Sequence, residues 1–277
     1  REFIEHYLIP MGAAIWSAPP ERFRQFPARF IVNFFNNHGL LTVLDQPQWK
    51  TVQGGAQRYV EALTRPFGSR IRLNCPVVAV RRFPDRVAVT WQHGGPEDFD
   101  AVVLAAHPDE SLAMLVDASP AEREVLRAFP YQRNDTVLHA DPLLLPHCRR
   151  AWASSNYRIP REEGAPVVLT YNLNRLQGHV SPDPICVTLN GTHWIDEQEI
   201  LRRIEYHHPV YSREALAAQK RFHEINGRNR SYFCGAYWGH GFHEDGVNSA
   251  LAVGQSFGKR LESCTVAHPK GMSSTGG

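Results

Sequence analysis

The sequence predicts a mixed α/β fold of the α+β kind, on three observations. Apolar side chains recur at helical spacing in residues 1–50 and again in 56–64. Short runs rich in β-branched residues recur between 71 and 105. Between 136 and 189 strand patterns follow one another without helices between them, which favours an antiparallel sheet. With 277 residues, 43% of them hydrophobic, the chain can form one large domain or two ordinary ones.

The first fifty residues are expected to form helices over Glu2–Ile9 and Pro20–Asn37, and Pro10 is expected to break the apolar run Leu8–Trp16. The second helix carries an apolar stripe made of Phe23, Phe26, Phe30, Ile31, Phe34 and Phe35. Such a stripe is typical of a core-facing helix, and a ligand-lining box is the alternative. Trp16 is a candidate pocket residue because small residues precede it.

The next segment opens with Gly54-Gly55 and a helix over Ala56–Thr64. Strands are then expected at Ile71–Leu73, Val77–Arg82, Val87–Trp91 and Ala101–Ala105. The run from Asp100 to Ala106 is nearly all apolar, as in a strand buried on both faces. Helices should follow at Asp109–Leu115 and Pro120–Ala128, with Ser119 as the N-cap of the second.

The segment from 136 to 225 reads as strands followed by helices. The strands are expected at Thr136–Ala140, Ala151–Tyr157, Val167–Asn172 and Ile185–Leu189, and the helices at Asp196–Glu205 and Ser212–Ile225. The His207-His208 pair precedes Pro209, so we interpret it as a helix end. Residues 265–277 contain almost no apolar residues, which predicts a disordered tail.

Composition excludes several classes of protein. A net charge of +2 gives no basic face for a nucleic acid. Three arginine pairs are interpreted as solvated surface, with peripheral contact to acidic lipid as the alternative. The five cysteines form no CxxC pair, which indicates free thiols in a reducing cytoplasm. No segment has the roughly 18 apolar residues of a membrane helix.

The most informative stretch runs from Ser231 to Ala250. It predicts a short strand over Tyr232–Cys234, a glycine-rich turn, and a helix that begins near Gly246. Glycines allow bare N–H groups and the positive end of a helix dipole to approach an electron-rich ligand.

Four segments together resemble the flavin amine oxidase and phytoene desaturase superfamily: Val52–Leu63, Ile71–Val80, Asp100–Pro108 and Ser231–Leu261. Its bacterial amine oxidase-like NAD/FAD-binding branch is resembled by Asn172–Gly178, His208-Pro209, Glu224–Gly227 and Gly241–Gly246. The resemblance implies an incomplete Rossmann-like FAD-binding domain with an inserted substrate domain of antiparallel sheet and helices. The implied segments are 1–53 (helical part of the substrate domain), 54–107 (FAD-binding domain), 108–225 (substrate domain) and 226–264 (closing FAD motif).

The resemblance also implies roles for single residues toward FAD. Val77 would pair with the adenine edge, and Gly235 would lie near the pyrophosphate and ribityl chain. Gly246 and Val247 would lie beneath the flavin, where the helix dipole stabilises negative charge. Asp245 is expected to cap this helix, with a plain turn as the alternative.

Aromatic residues flank the flavin in the bilobal members, and Tyr237 and Trp238 are candidates for that position. Candidate residues for the substrate pocket are Trp16, Trp238, His240 and His243. The two histidines are three apart, which leaves three interpretations: a pocket histidine, a zinc pair, or ordinary packed or surface residues. Spacing supplies no third ligand, so no metal site is expected.

One family motif is missing, the G-x-G-x-x-G turn followed by an acidic ribose-binding residue. The resemblance therefore implies roughly 130–150 further residues upstream. It implies an FAD-dependent oxidoreductase that oxidises, desaturates or isomerises an apolar substrate, an acyl lipid being one class, by hydride transfer to flavin. The fragment alone is expected to be inactive, and the alternative is a non-catalytic remnant or a split-subunit interaction module.

Overall fold

The computed structural model describes residues 1–42, 44, 48, 50–161 and 165–261. The predicted disordered tail lies outside these residues and stays a prediction. None of the helices in the described part is long and apolar enough to cross a membrane.

The helices of the described residues are mostly short. They are α1 (Ile9–Ile15), α2 (Pro20–Phe23), α3 (Ala28–Asn37), α4 (Gln57–Thr64), α5 (Pro108–Met114), α6 (Pro120–Arg127), α7 (Leu173–Gln177), α8 (Arg213–Gln219), α9 (Phe222–Ile225) and α10 (His243–Gln255). The strands are β1 (Val77–Arg82), β2 (Val87–Trp91), β3 (Pro96–Phe99), β4 (Val102–Leu104), β5 (Tyr131–His139), β6 (Ser155–Arg158), β7 (Val168–Asn172), β8 (Cys186–Leu189), β9 (Ile200–Pro209) and β10 (Ser231–Phe233).

Proline positions explain the N-terminal helices. Pro10 lies in the first turn of α1, where its missing N–H costs no hydrogen bond. The expectation that Pro10 breaks the apolar run is therefore wrong. Pro27 instead divides the helix expected over 20–37 and becomes the N-cap of α3. The cap predicted at Ser119 is confirmed, since its hydroxyl accepts the Glu122 N–H at 3.2 Å.

The antiparallel sheet is confirmed as five strands in the order β6-β7-β8-β5-β9. The helix predicted over Asp196–Glu205 is wrong, because the residues from Ile200 onward form the edge strand β9. Those residues are good helix formers, but β9 pairs with β5 along its whole length, from Tyr131 opposite Pro209 to His139 opposite Ile200. Tertiary pairing overrides a weak local propensity here, and His207-His208 lies in a strand instead of at a helix end.

Two smaller sheets complete the fold. β1, β2 and β3 form an antiparallel sheet, and β4 pairs in parallel with β10. The sequence did not indicate β3, and the strand expected at Ile71–Leu73 does not form. Val103 in β4 is 46% exposed, so this strand is not buried on both faces.

The described residues bury two large hydrophobic clusters. The first joins the aromatic residues of α2 and α3 to one face of the five-stranded sheet, which confirms the core role of the stripe. The second joins β1, β2, β4 and β10 to α5, α6, α8 and α9. Helices that precede and helices that follow the five-stranded sheet in sequence therefore pack in the same core as β10. The segment boundaries expected at 108 and 225 stay predictions.

The second core contains a buried ionic centre. The Arg82 guanidinium donates to both carboxylate oxygens of Glu122, at 2.6 and 2.9 Å, and to Asp117 at 2.9 Å. Arg82 and Glu122 are 9% and 1% exposed, so neither charge has water as an alternative partner. The pair ties β1 to the start of α6 beneath β10.

Candidate active site

A pocket of about 260 Å³ lies between the five-stranded sheet and the glycine-rich turn that precedes α10. One wall is the end of α1, residues 15–17, together with Gly241 and Phe242. The other wall is the sheet, through Thr136, Tyr171, Val187, Leu189, Tyr206, His208 and Pro209. The pocket is thus aromatic and aliphatic, as small-molecule sites commonly are.

Strand register places the polar groups of the sheet wall. Tyr206 and His208 are two residues apart on β9, so they face the same side of the sheet. Asn134 of β5 is directly opposite Tyr206, which makes His208 its diagonal neighbour. The His208 Nδ1 lies 2.8 Å from Asn134 Oδ1.

A buried amide fixes this arrangement. Asn134 is 2% exposed, and its nitrogen donates to the Ser17 carbonyl at 2.9 Å and to Asn190 Oδ1 at 3.3 Å. Because two acceptors face the amide nitrogen, the amide oxygen must face His208 and can only accept from it. His208 therefore carries its proton on Nδ1.

Ser17 closes α1 in a left-handed conformation with a φ of +51°. Glycine usually occupies such a position, since a side chain there costs free energy. The Ser17 carbonyl accepts side-chain amides from both Gln132 and Asn134. The sheet thereby holds the end of α1 in place over the pocket.

Trp16 joins α1 to the glycine-rich turn. Its indole N–H donates to the His240 carbonyl at 2.9 Å, and its ring lies 6.5 Å from that of Phe242. The His240 ring stacks on Phe30 at 4.6 Å. Trp16 is therefore both a core residue and a pocket residue.

A buried hydroxyl lies beneath the turn. Tyr211 is 1% exposed, its Oη has no hydrogen-bond partner among the described residues, and burial raises its pKa well above the usual value. Gly241 has a φ of +95°, and a Cβ at this residue would lie 2.8 Å from that oxygen. Only glycine fits here without strain.

The helix expected to begin near Gly246 begins three residues earlier, at His243. The Gly246 N–H already donates to the Phe242 carbonyl at 3.1 Å, so the donors at the helix start belong to residues 243–245. Asp245 caps the helix from within, because its Oδ2 accepts the Phe242 N–H at 3.0 Å.

The Asp245 carboxylate keeps its charge at the helix start. Burial acts to raise its pKa, but the His240 ring and the Phe242 N–H outweigh burial and lower it. His240 Nδ1 lies 3.9 Å from Asp245 Oδ1, a distance of an ion pair and too long for a hydrogen bond.

The other predicted residues lie apart from the pocket. Tyr237 is 1% exposed within the second core, where it packs against Phe129. Trp238 lines a second, smaller depression of about 240 Å³ beside α10. His243 is exposed, with its ring 6.3 Å from that of Tyr59.

Two further cofactor candidates lie at the ends of strands. Val77 is 37% exposed at a bulge where β1 begins. The Gly235 N–H donates to the Ser249 hydroxyl of α10 at 2.9 Å, so this glycine joins the end of β10 to that helix. No group of three or more histidine, cysteine or acidic residues in the described ranges is placed to hold a metal ion.

Sequence reasoning missed the whole sheet wall. Burial along β9 gives no strand signal either: Ile200, Ile204 and His208 are half-buried at a spacing of four, and the residues between them are exposed. A spacing of four is closer to a helical repeat than to the period of two of a strand, so nothing local identified this segment.

Comparison with known proteins identifies the family. The model of the family described as flavin containing amine oxidoreductase matches residues 3–140, about half of the chain and including the α1 wall of the pocket. The chain belongs to this family. No curated protein matches the sequence.

Several solved structures share the fold of this chain. A CLA-producing fatty acid isomerase from P. acnes is 16% identical with a TM-score of 0.65, over 90% of this chain and 62% of that one. Cyclohexylamine oxidase from Brevibacterium oxydans is 13% identical with a TM-score of 0.57, over 91% and 64%. Putrescine oxidase bound to putrescine is 12% identical with a TM-score of 0.51, over 75% and 54%. The chain therefore spans less than two thirds of the length of these relatives.

The flank of α10 next to the pocket can accommodate the family's flavin. A Cβ on Gly246 would meet nothing within 4 Å, and Val247 is 48% exposed. Open space above a helix glycine suits the close approach of a flat ring. The residues present fit the group at this flank, although Asp245 adds negative charge there.

Proposed function

We propose that this chain forms the substrate side of an FAD-dependent oxidoreductase that acts on an apolar substrate, with acyl lipids as the favoured class. The observation that carries the proposal is the pocket, which ends at Gly241 and Phe242, directly before the flank of α10 that suits a flavin. When bound, the flavin supplies hydride acceptance. The protein has to bind the substrate, orient it and exclude water.

The lining of the pocket favours an uncharged substrate. None of its twelve described residues has a carboxylate, ammonium or guanidinium group. Apolar surface of this kind stabilises a hydrocarbon by about 25 cal/mol per Å² removed from water. A charged group would lose its hydration there without gaining an opposite charge.

The same lining weighs against an amine bound as an ammonium ion. An ammonium group is normally paired with a carboxylate when it is buried. The nearest acidic group described above, Asp245, belongs to the helix start and lines the second depression. Among the similar structures, the fatty acid isomerase therefore agrees better with this pocket than the two amine oxidases.

The test uses the full-length protein that contains this chain, loaded with FAD and kept free of oxygen. Flavin absorption is followed after addition of an uncharged acyl ester, an acyl carboxylate or an alkyl amine of equal chain length. We expect the strongest flavin response to the uncharged acyl ester, a weaker response to the carboxylate, and none to the amine. A response to the amine alone would refute the substrate class, and absence of bound flavin would refute the enzymatic proposal and favour a non-catalytic remnant.

A further inference from the structure

The sheet wall contains one polar side chain whose bonding state is fixed before any ligand arrives. His208 donates through Nδ1 to Asn134 Oδ1 at 2.8 Å, and the Asn134 amide cannot turn because its nitrogen already has two acceptors. A neutral histidine whose single ring proton is on Nδ1 has a lone pair on Nε2. No hydrogen bond to Nε2 is found within the described ranges, and the ring lines the pocket.

The surroundings keep this imidazole neutral. Burial lowers the pKa of His208, and the nearby His107 and His207 lower it further. The stacked rings of His107 and Tyr131 lie with His207 on the opposite face of the sheet, and the His107 ring is 6.4 Å from that of His207. Glu205 is 3.5 Å from His207 Nε2 and pairs with that residue. Asn134, the direct partner of His208, is uncharged.

We infer that His208 Nε2 is the polar anchor of the pocket, and that it selects an uncharged ligand whose head is a hydrogen-bond donor, such as a hydroxyl group. This inference rests on the proposed function, because it refines the class of substrate that the same pocket takes. Asn134 is a positioning residue, since it acts only through His208. The rest of the lining is uncharged: hydroxyls belong to Ser17, Thr136, Tyr171 and Tyr206, and the other residues are aliphatic, aromatic or glycine. The hydrogen bond to Nε2 therefore orients the ligand, and its hydrocarbon part supplies most of the binding.

Two probes of equal heavy-atom count separate the anchor from simple apolar binding. 1-Octanol has a donor, whereas heptyl methyl ether has an acceptor only. Both are titrated into the 277-residue chain at pH 7.5 by NMR, with dissociation constants taken from pocket resonances. We expect octanol to bind about tenfold more tightly, equivalent to about 1.4 kcal/mol. We also expect the His208 side-chain nitrogen signals to move with octanol only.

Two variants test whether His208 causes the preference for octanol over the ether. His208→Phe keeps an aromatic ring but has no acceptor, so the octanol preference should disappear while the ether still binds. His223→Phe is the matched control, because it makes the same substitution at an exposed histidine of α9 outside the pocket lining, and it should keep the preference. If His208→Phe fails to fold, the nitrogen shifts of the parent protein decide the question on their own.

The outcomes distinguish the two proposals. Equal binding of both probes by the parent protein, or unchanged His208 signals with octanol, overturns the anchor and leaves the apolar pocket intact. Binding of neither probe overturns the anchor together with the proposed substrate class.

Discussion

The two walls of the pocket are built differently. The sheet wall is held by hydrogen bonds among buried groups, such as the chain from His139 Nε2 to Thr188 at 2.7 Å and on to Thr170 at 2.8 Å. The turn wall is mostly backbone, with Phe242 36% exposed and held by the Trp16 and Asp245 contacts. The difference indicates that the sheet wall selects the ligand, because its side chains are fixed by hydrogen bonds before a ligand binds. The glycine-rich turn leaves its backbone free for the close approach of a cofactor.

The largest effect is expected from removal of the central amide of the sheet wall. Asn134→Leu leaves the His208 Nδ1–H without its acceptor and takes one of two donors from the Ser17 carbonyl. We expect the free energy of unfolding to fall by about 2–3 kcal/mol, measured by urea denaturation. Tyr206→Phe, opposite on β9, should change it by less than about 0.5 kcal/mol. Equal losses in the free energy of unfolding of the two variants would contradict a sheet wall that is fixed before a ligand binds.

Alanine substitution should destabilise the protein at the glycine of the turn wall but not at the glycine of the helix that follows it. Gly241→Ala places a Cβ against Tyr211 Oη at a φ of +95°, so we expect a loss of about 2 kcal/mol. Gly246→Ala is the matched control, because its Cβ meets open space within a helix, and it should stabilise the protein by up to about 1 kcal/mol. Thermal denaturation of both variants checks this, and a neutral Gly241→Ala would show that the turn is free to move.

A smaller effect concerns pH and the sheet wall. Burial lowers the pKa of His139, and it lowers that of His208 as well. Both are neutral in the folded and unfolded chain at pH 7.5. As the pH falls through about 6.5, the unfolded chain takes up protons that the folded state excludes, so the free energy of unfolding decreases.

Urea denaturation at pH 7.5 and 5.5 measures this decrease. The His139→Gln variant should show a weaker dependence on pH than the parent protein, whatever its absolute stability. The same pH dependence in the two proteins would assign the effect to other groups.

The smallest effect is expected where the two walls meet. Ser17→Gly relieves a left-handed conformation but makes the unfolded chain more flexible, so we expect a gain of at most about 1 kcal/mol. The measurement is the midpoint of thermal unfolding. A clear loss of stability would mean that the Ser17 side chain, and not only its carbonyl, supports the pocket.

Local signals in the sequence were sufficient for much of the fold. The aromatic stripe of α3, the Ser119 cap and the strand at β10 follow from spacing and capping chemistry within a few residues. Four described cysteines, at 75, 148, 186 and 234, are free thiols as expected, and Cys234 is buried as a small apolar residue.

Non-local pairing explains most of the errors. β9 forms because β5 offers a partner along its whole length, a fact that no window of residues 196–209 contains. The same pairing places His208 beside Asn134, which are 74 residues apart. The start of α10 was misplaced because a glycine was taken as the helix start, whereas Asp245 caps the helix from its third position. The expected FAD roles of Val77, Gly235, Tyr237, Gly246 and Val247 stay predictions.

The most direct test of the account is to fill the pocket from the sheet wall. In the FAD-loaded full-length protein, Val187→Trp would place an indole ring in the pocket lining next to Tyr171, its partner on β7, while Val180→Trp places the same ring at a fully exposed residue. The measurement is the rate at which a limiting concentration of an uncharged acyl substrate reduces the flavin without oxygen. The account predicts at least about a tenfold lower rate for Val187→Trp only, with equal flavin content in all three proteins. An unchanged rate for Val187→Trp would show that the substrate binds elsewhere.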